Sequence, residues 1–152
     1  MPSAYPVHLT DHVLLLVESY ARLTGRQLMQ ATDADELARR LWEAPFALVS
    51  HGTEADPVFN YANLTALSLF ETDWDDFTHL PSRLSAEPAN RRTREALLQR
   101  VSEQGYIDDY SGVRISATGR RFVIRGAVVW NVIDRQGVYH GQAAMFAHWG
   151  EP

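Results

Sequence analysis

The side chains that could do chemistry are scattered rather than gathered. Six histidines, His8, His12, His51, His79, His140 and His148, are spread along the chain, and only His8 and His12 stand at i and i+4, the spacing that sets two metal ligands on one helix face, with no third ligand in step with them. Asp108 and Asp109 are the most tempting carboxylate pair, but on a strand adjacent side chains point to opposite faces and cannot share a proton or an ion. The nucleophile elbow G-x-S-x-G, the zinc motif H-E-x-x-H, the phosphate-cradling glycine loop and the dinucleotide turn are all absent. Cysteine is absent too, which excludes disulfides, thiolate metal sites, cysteine nucleophiles and cysteinyl flavin adducts. Arg91, Arg92, Arg94 and Arg100 fall on or near one helix and could attract an anion, yet Glu95 and Glu103 interleave with them and the pattern reads as a solvated face. This inventory points away from catalysis, and no metal is expected.

The chain of 152 residues suits one domain of the usual ~100–150 residues, with an ordinary 45% hydrophobic and 22% charged content. Nineteen acidic residues against 14 basic ones, all arginine, give a net charge of -5, which argues against a surface that neutralises nucleic-acid phosphates. The longest apolar run, residues 13–17, is far short of the ~20 needed to span a membrane. No basic segment followed by an apolar block opens the sequence, so the cytoplasm is expected, with neither nucleic acid nor membrane as a partner.

Helices dominate the first third. Val13, Leu16, Val17, Tyr20 and Leu23 recur at three- and four-residue steps after Thr10 or Asp11 as cap, with Gly25 as stop. Asp33 and Glu36 resemble a capping box for a second helix over 33–43, which Pro45 cannot continue. Residues 46–51 and 58–61 read as a hairpin around the polar turn 52–57. Asn63 is a good N-cap for a helix bearing Leu64, Leu67 and Phe70, and Thr72 for a further short turn. An irregular stretch, 80–89, leads to a longer helix over 90–104 closed by Gly105. Three β-rich stretches, 106–115, 121–133 and 138–147, then form an antiparallel meander through the turns 117–120 and 134–137. The middle stretch is apolar on both faces, so both should be covered, the outer one by the N-terminal helix.

Helices, two strands, more helices and three strands imply an α+β fold: a five-stranded antiparallel sheet with helices on one face and an N-terminal helical extension. That layout resembles a PAS domain. Val58-Phe59-Asn60-Tyr61-Ala62-Asn63 is similar to the second PAS strand and its Ala-Asn helix start, and the turn at Gly137 leading to Gly141 resembles the last PAS hairpin. The blocks PFALVSHGTEADPVFNYAN, LPSRLSAEPANRRTR, GYIDDYSGVRISATGRRF and VVWNVIDRQGVYHGQAAMF resemble the MEKHLA domain family in its stand-alone bacterial form, from about residue 12 to residue 146. The resemblance implies residues 1–30 as the helical extension, 31–152 as a PAS-like MEKHLA domain, and a sensory or regulatory role. Related domains also end the class III homeodomain leucine-zipper transcription factors of plants, where the resemblance implies control of dimerisation.

Within that layout Arg83 and Ser85 lie near the usual mouth of a PAS cavity and are expected ligand contacts. Asn60 and Tyr61 face opposite ways on their strand, so one of them can look inward, and Asn60 is carried as the candidate. His140 and Gln142 share a face by parity. Trp130 on the neighbouring strand offers a flat group for stacking, with core filling as its default role. Asn63 is expected to act as a structural cap. The haem sensors that the fold resembles take an axial histidine from a pocket helix, and the 90–104 helix has none; His79 lies just before it. The cofactor is left unknown. The expected function is a non-catalytic sensory or regulatory module that binds a small molecule or a protein partner and forms a homodimer through its N-terminal helix. The alternative is a small α+β isomerase or hydratase with an apolar pocket, which would need its strands to follow one another in the C-terminal half.

Overall fold

The computed structural model describes residues 7–152, and residues 1–6 of the expected extension lie outside them. After a 3-10 turn at Val7–Leu9, helix α1 (Thr10–Thr24) starts with Leu9 at its N-cap. Thr10 and Asp11, expected as caps, therefore sit inside the first turn, where Asp11 complements the helix dipole. Gly25, at φ 73°, closes the helix in the left-handed conformation that favours glycine. Helix α2 (Ala34–Trp42) is capped by Asp33, whose carboxylate accepts from the Glu36 N–H at 2.8 Å. Helices α3 (Leu64–Leu69) and α4 (Trp74–Phe77) follow, and α4 is capped by Asp73 rather than Thr72. A 3-10 turn at Ser82–Ser85 interrupts the irregular segment, and α5 (Pro88–Gln104) begins two residues earlier than expected because Pro88 suits the first helical turn.

The described residues also form six strands: β1 (Ala47–His51), β2 (Phe59–Ala62), β3 (Tyr106–Ile115), β4 (Arg121–Ile133), β5 (Tyr139–Phe146) and β6 (His148–Gly150). They form one antiparallel sheet in the order β2-β1-β5-β4-β3, so the early hairpin joins the closing ribbon edge to edge, with Ala47 opposite Phe146 and His51 opposite Gln142. The sixth strand, beyond the five expected, pairs with β4. It keeps the offset of β5: Val128 faces Met145 and Arg125 faces His148, so β6 resumes the same ribbon past a bend at Ala147.

Both faces of β4 are covered, by different helices. The Trp130 indole N–H donates to the Leu16 carbonyl at 3.2 Å, and Tyr20 meets the Trp130 ring edge-on at 4.9 Å. Ser19 fastens α1 further, donating to the Asn131 carbonyl at 2.6 Å and accepting from the Ile133 N–H at 3.0 Å. The Asn131 side chain points the other way and donates to the Val101 carbonyl of α5 at 3.1 Å. The main core includes Val13, Leu16, Leu41 and Trp42 on the α1 side and extends to Phe59, Phe70, Ile124 and Phe146, and a separate, smaller cluster of Leu97, Val101, Ile107 and Val129 lies under α5.

Candidate functional site

Strict alternation along β4 would send Ile124 and Val129 to opposite faces, yet both line one cavity. Gly126 sits at φ 63° and the β3–β4 pairing slips between Tyr110 and Gly112, so a bulge switches the parity of the strand. The cavity lies between α5 and the sheet and measures about 60 Å³; Phe59, Phe70, Ile124 and Phe146 supply apolar wall. Its position is fixed partly by Gly141. At φ 124° that residue brings β5 so close to β1 that a Cβ there would fall 2.0 Å from the His51 carbonyl oxygen. Only glycine fits, and the close approach sets His51 beside Gln142.

The polar lining is cationic. Arg94 of α5 and Arg114 of β3 are each only 8% exposed. Arg94 Nη2 donates to Ser82 Oγ at 2.9 Å; Arg114 Nη1 donates to the Val113 carbonyl at 2.9 Å, with its guanidinium carbon 5.3 Å from the centre of the Tyr110 ring. Among the described residues neither arginine has a carboxylate within ion-pair distance, and no carboxylate lines the cavity. Burial, aided by the charge of Arg114 and opposed by Tyr110 and Glu95, lowers the Arg94 guanidinium to about 10, which leaves it a cation at neutral pH. His51 is lowered to about 4 by burial first and by Arg94 second, so its imidazole is neutral. Ser82 Oγ accepts from Arg94 and lies 2.9 Å from His51 Nδ1, to which its own hydrogen can be given. Gln142 Nε2 donates to the Leu98 carbonyl at 3.1 Å, anchoring β5 to α5.

Ser85 and Gln142, two of the residues singled out from sequence, line the cavity. The other candidates lie elsewhere. A 3-10 turn repeats every three residues, so Ser82 and Ser85 turn inward while Arg83 points out and pairs with Asp56 at 3.1 Å. Asn60 is half-buried outside the cavity and accepts from the Ser50 hydroxyl, whose oxygen also lies 2.9 Å from His12 Nε2. Trp130 belongs to the α1 layer. His140 is exposed and lies 2.9 Å from Asp134, because the turn of the backbone at Gly141 breaks the alternation that would set it beside Gln142. Asn63 is the structural cap: buried, it accepts from the Ala66 and Leu48 N–H groups and donates to the Leu41 and Phe46 carbonyls.

The arginine expected on a solvated face, Arg94, is the principal correction. Its spacing carried the signal: 94, 97 and 101 stand at i, i+3 and i+7, the buried stripe of α5, with half-buried Leu98 at i+4. Tyr110 and Arg114 went unread for a related reason. They alternate onto one face of β3 through Gly112, but a strand at the sheet edge gives no sequence sign that the face is covered.

In sequence, the chain is similar to Homeobox-leucine zipper protein HOX9 of Oryza sativa subsp. indica, at 30% identity over 136 residues, covering 88% of this chain and 16% of that protein. It is similarly 30% identical to Homeobox-leucine zipper protein ATHB-14 of Arabidopsis thaliana over 136 residues, covering 86% and 16%. The chain thus spans about a sixth of the length of these curated relatives. Among solved structures, the PAS domain of a protein from Colwellia psychrerythraea aligns with a TM-score of 0.60 at 13% identity, over 71% of this chain and 89% of that one. A light-oxygen-voltage domain studied with a flavin analogue aligns at 0.57 and 17% identity, over 72% and 81%. These structures show the fold, which is PAS-like. The MEKHLA domain model matches residues 10–151, taking in α1, the sheet and the cavity, and the chain belongs to the MEKHLA domain family.

Proposed function

We propose that this MEKHLA domain is a non-catalytic sensory module that takes a small molecule into the cavity between α5 and the sheet and passes its occupancy to the surface. The observation that carries the reading is the cavity itself: a PAS-like sheet and helix enclose apolar walls with a few converging polar groups, the usual make-up of a ligand site. An isomerase or hydratase is supported less well. A hairpin, β1 and β2, precedes the helical block, and no carboxylate lines the cavity to serve as acid or base.

Size narrows the ligand. At 10–15 Å³ per water, about 60 Å³ has room for roughly four to six waters. Drug-sized ligands occupy ~300–1,000 Å³, so a flavin or haem would require the cavity to open. On its outer side α1 keeps Leu14 half-exposed, with Leu15 and Val17 partly buried on its flanks, and this supports a homodimer through that helix. No helix among the described residues is long and apolar enough to cross a membrane, and we place the module in the cytoplasm.

Native mass spectrometry of the purified full chain, with an absorption spectrum, tests the reading. A retained small molecule at one per chain supports sensing. A ligand-free chain that a broad metabolite panel fails to stabilise contradicts it. Light scattering of a chain lacking residues 1–30 tests the dimer: loss of the dimer or of solubility is expected, and a soluble species of unchanged size rejects α1 as the interface.

A further inference from the structure

We infer that the cavity is built for a small organic carboxylate, whose head lies between the guanidinium groups of Arg94 and Arg114 and whose short apolar body packs against Phe59, Phe70, Ile124 and Phe146. This rests on the cavity being the sensing site and adds the chemical class of the signal.

The argument starts from charge. Two cations are withdrawn from water into one small space, and burying an ion costs several kcal/mol unless a partner of opposite charge is supplied. The protein supplies none there. The Coulomb effect of Arg114 on Arg94 works against the charge on Arg94, and the nearby neutral His51 and the Ser82 hydroxyl offer dipoles but no anion. Each guanidinium has five N–H donors, and each gives one side-chain hydrogen bond to a protein acceptor, leaving donors for a ligand. Planar guanidinium groups match the two oxygens of a carboxylate.

The walls decide between anions. A phosphate would press its remaining oxygens against phenyl rings and an isoleucine, where they would be desolvated without partners. A carboxylate confines its charge to one end and gives the other end to those walls. Room for roughly four to six waters suits an acid of about that many heavy atoms, as butyrate is.

Calorimetric titration of the full chain with butyrate, butyramide and inorganic phosphate tests this. Butyrate is expected to bind one per chain, with butyramide about 30-fold weaker or worse, the loss typical of leaving buried charges unpaired. Phosphate is expected to bind more weakly than butyrate. Arg94→Gln should weaken butyrate by about 30-fold and narrow its advantage over butyramide. Arg114→Gln gives a second, independent variant, and the comparison of ligands on the unaltered chain does not depend on either variant folding. Equal binding of butyramide and butyrate, tighter binding of phosphate, or no binding of butyrate overturns the carboxylate assignment. None of those results removes a molecule seen by native mass spectrometry, so the sensing reading stands or falls separately.

Discussion

The two faces of β4 are built on different principles. Toward α1, Trp130 is fully buried against Leu16 and Tyr20, and the polar groups there are matched: the Trp130 N–H with the Leu16 carbonyl, and Ser19 with two backbone partners. Toward α5, the packing is interrupted: a small separate cluster lies under the helix, a cavity remains, and buried Arg94, Arg114, His51 and Gln142 surround it. One face stabilises the fold; the other carries buried charge and empty space, features that reduce stability and persist where function needs them. A single central strand serves both, because Val129 and Trp130 are neighbours in sequence and opposite in direction.

Substitutions on the two faces should therefore differ in size and even in sign. Trp130→Ala is expected to cost about 3–5 kcal/mol, read as a lower denaturant midpoint with an unchanged slope. A cost below 1 kcal/mol would break the contrast. On the cavity face, His51 adds a pH dependence. Its folded value of about 4 lies below the ordinary 6.5, so on acidification the unfolded chain takes up the proton first. Stability is full above pH 6.5 and falls toward pH 4, by on the order of 3 kcal/mol, and His51→Gln should flatten that decline. His12, also lowered by burial, contributes in the same direction and should keep its share in the variant.

Gly141→Ala sharpens the comparison from the backbone. Strain at a positive φ, of about 1–3 kcal/mol, and the clash with the His51 carbonyl should lower the melting temperature and displace His51 from Gln142. The smallest expected effect has the opposite sign. Arg94→Met removes a buried cation without a carboxylate partner and should leave the ligand-free protein equally stable or about 1 kcal/mol more stable, while weakening butyrate by about 30-fold or more. A loss of several kcal/mol would show that Arg94 belongs to the structural core.

Much of the architecture was legible. Strands β3 and β4 follow directly from their β-rich runs and glycine turns, α1 stops at Gly25 as its sequence demands, and Asn63 caps α3 as its position before Leu64 implies. What escaped was decided by single backbone angles and by burial. The turns at Gly126 and Gly141 reverse which side chains face inward, so parity misplaced His140. β6 is only three residues long and shows no period of its own. Arg94 lay on the apolar stripe of α5 in plain spacing, but its charge, among alternating acids, reads as solvated until the neighbouring layer is in place.

Hydrogen exchange of the full chain, with and without saturating butyrate, tests most directly that the signal enters between α5 and the sheet. Slower exchange in α5, β3 and β5, with a smaller change in α1, is the expected result. Protection confined to α1, or to the exposed turn around Val138 and Tyr139, would contradict it.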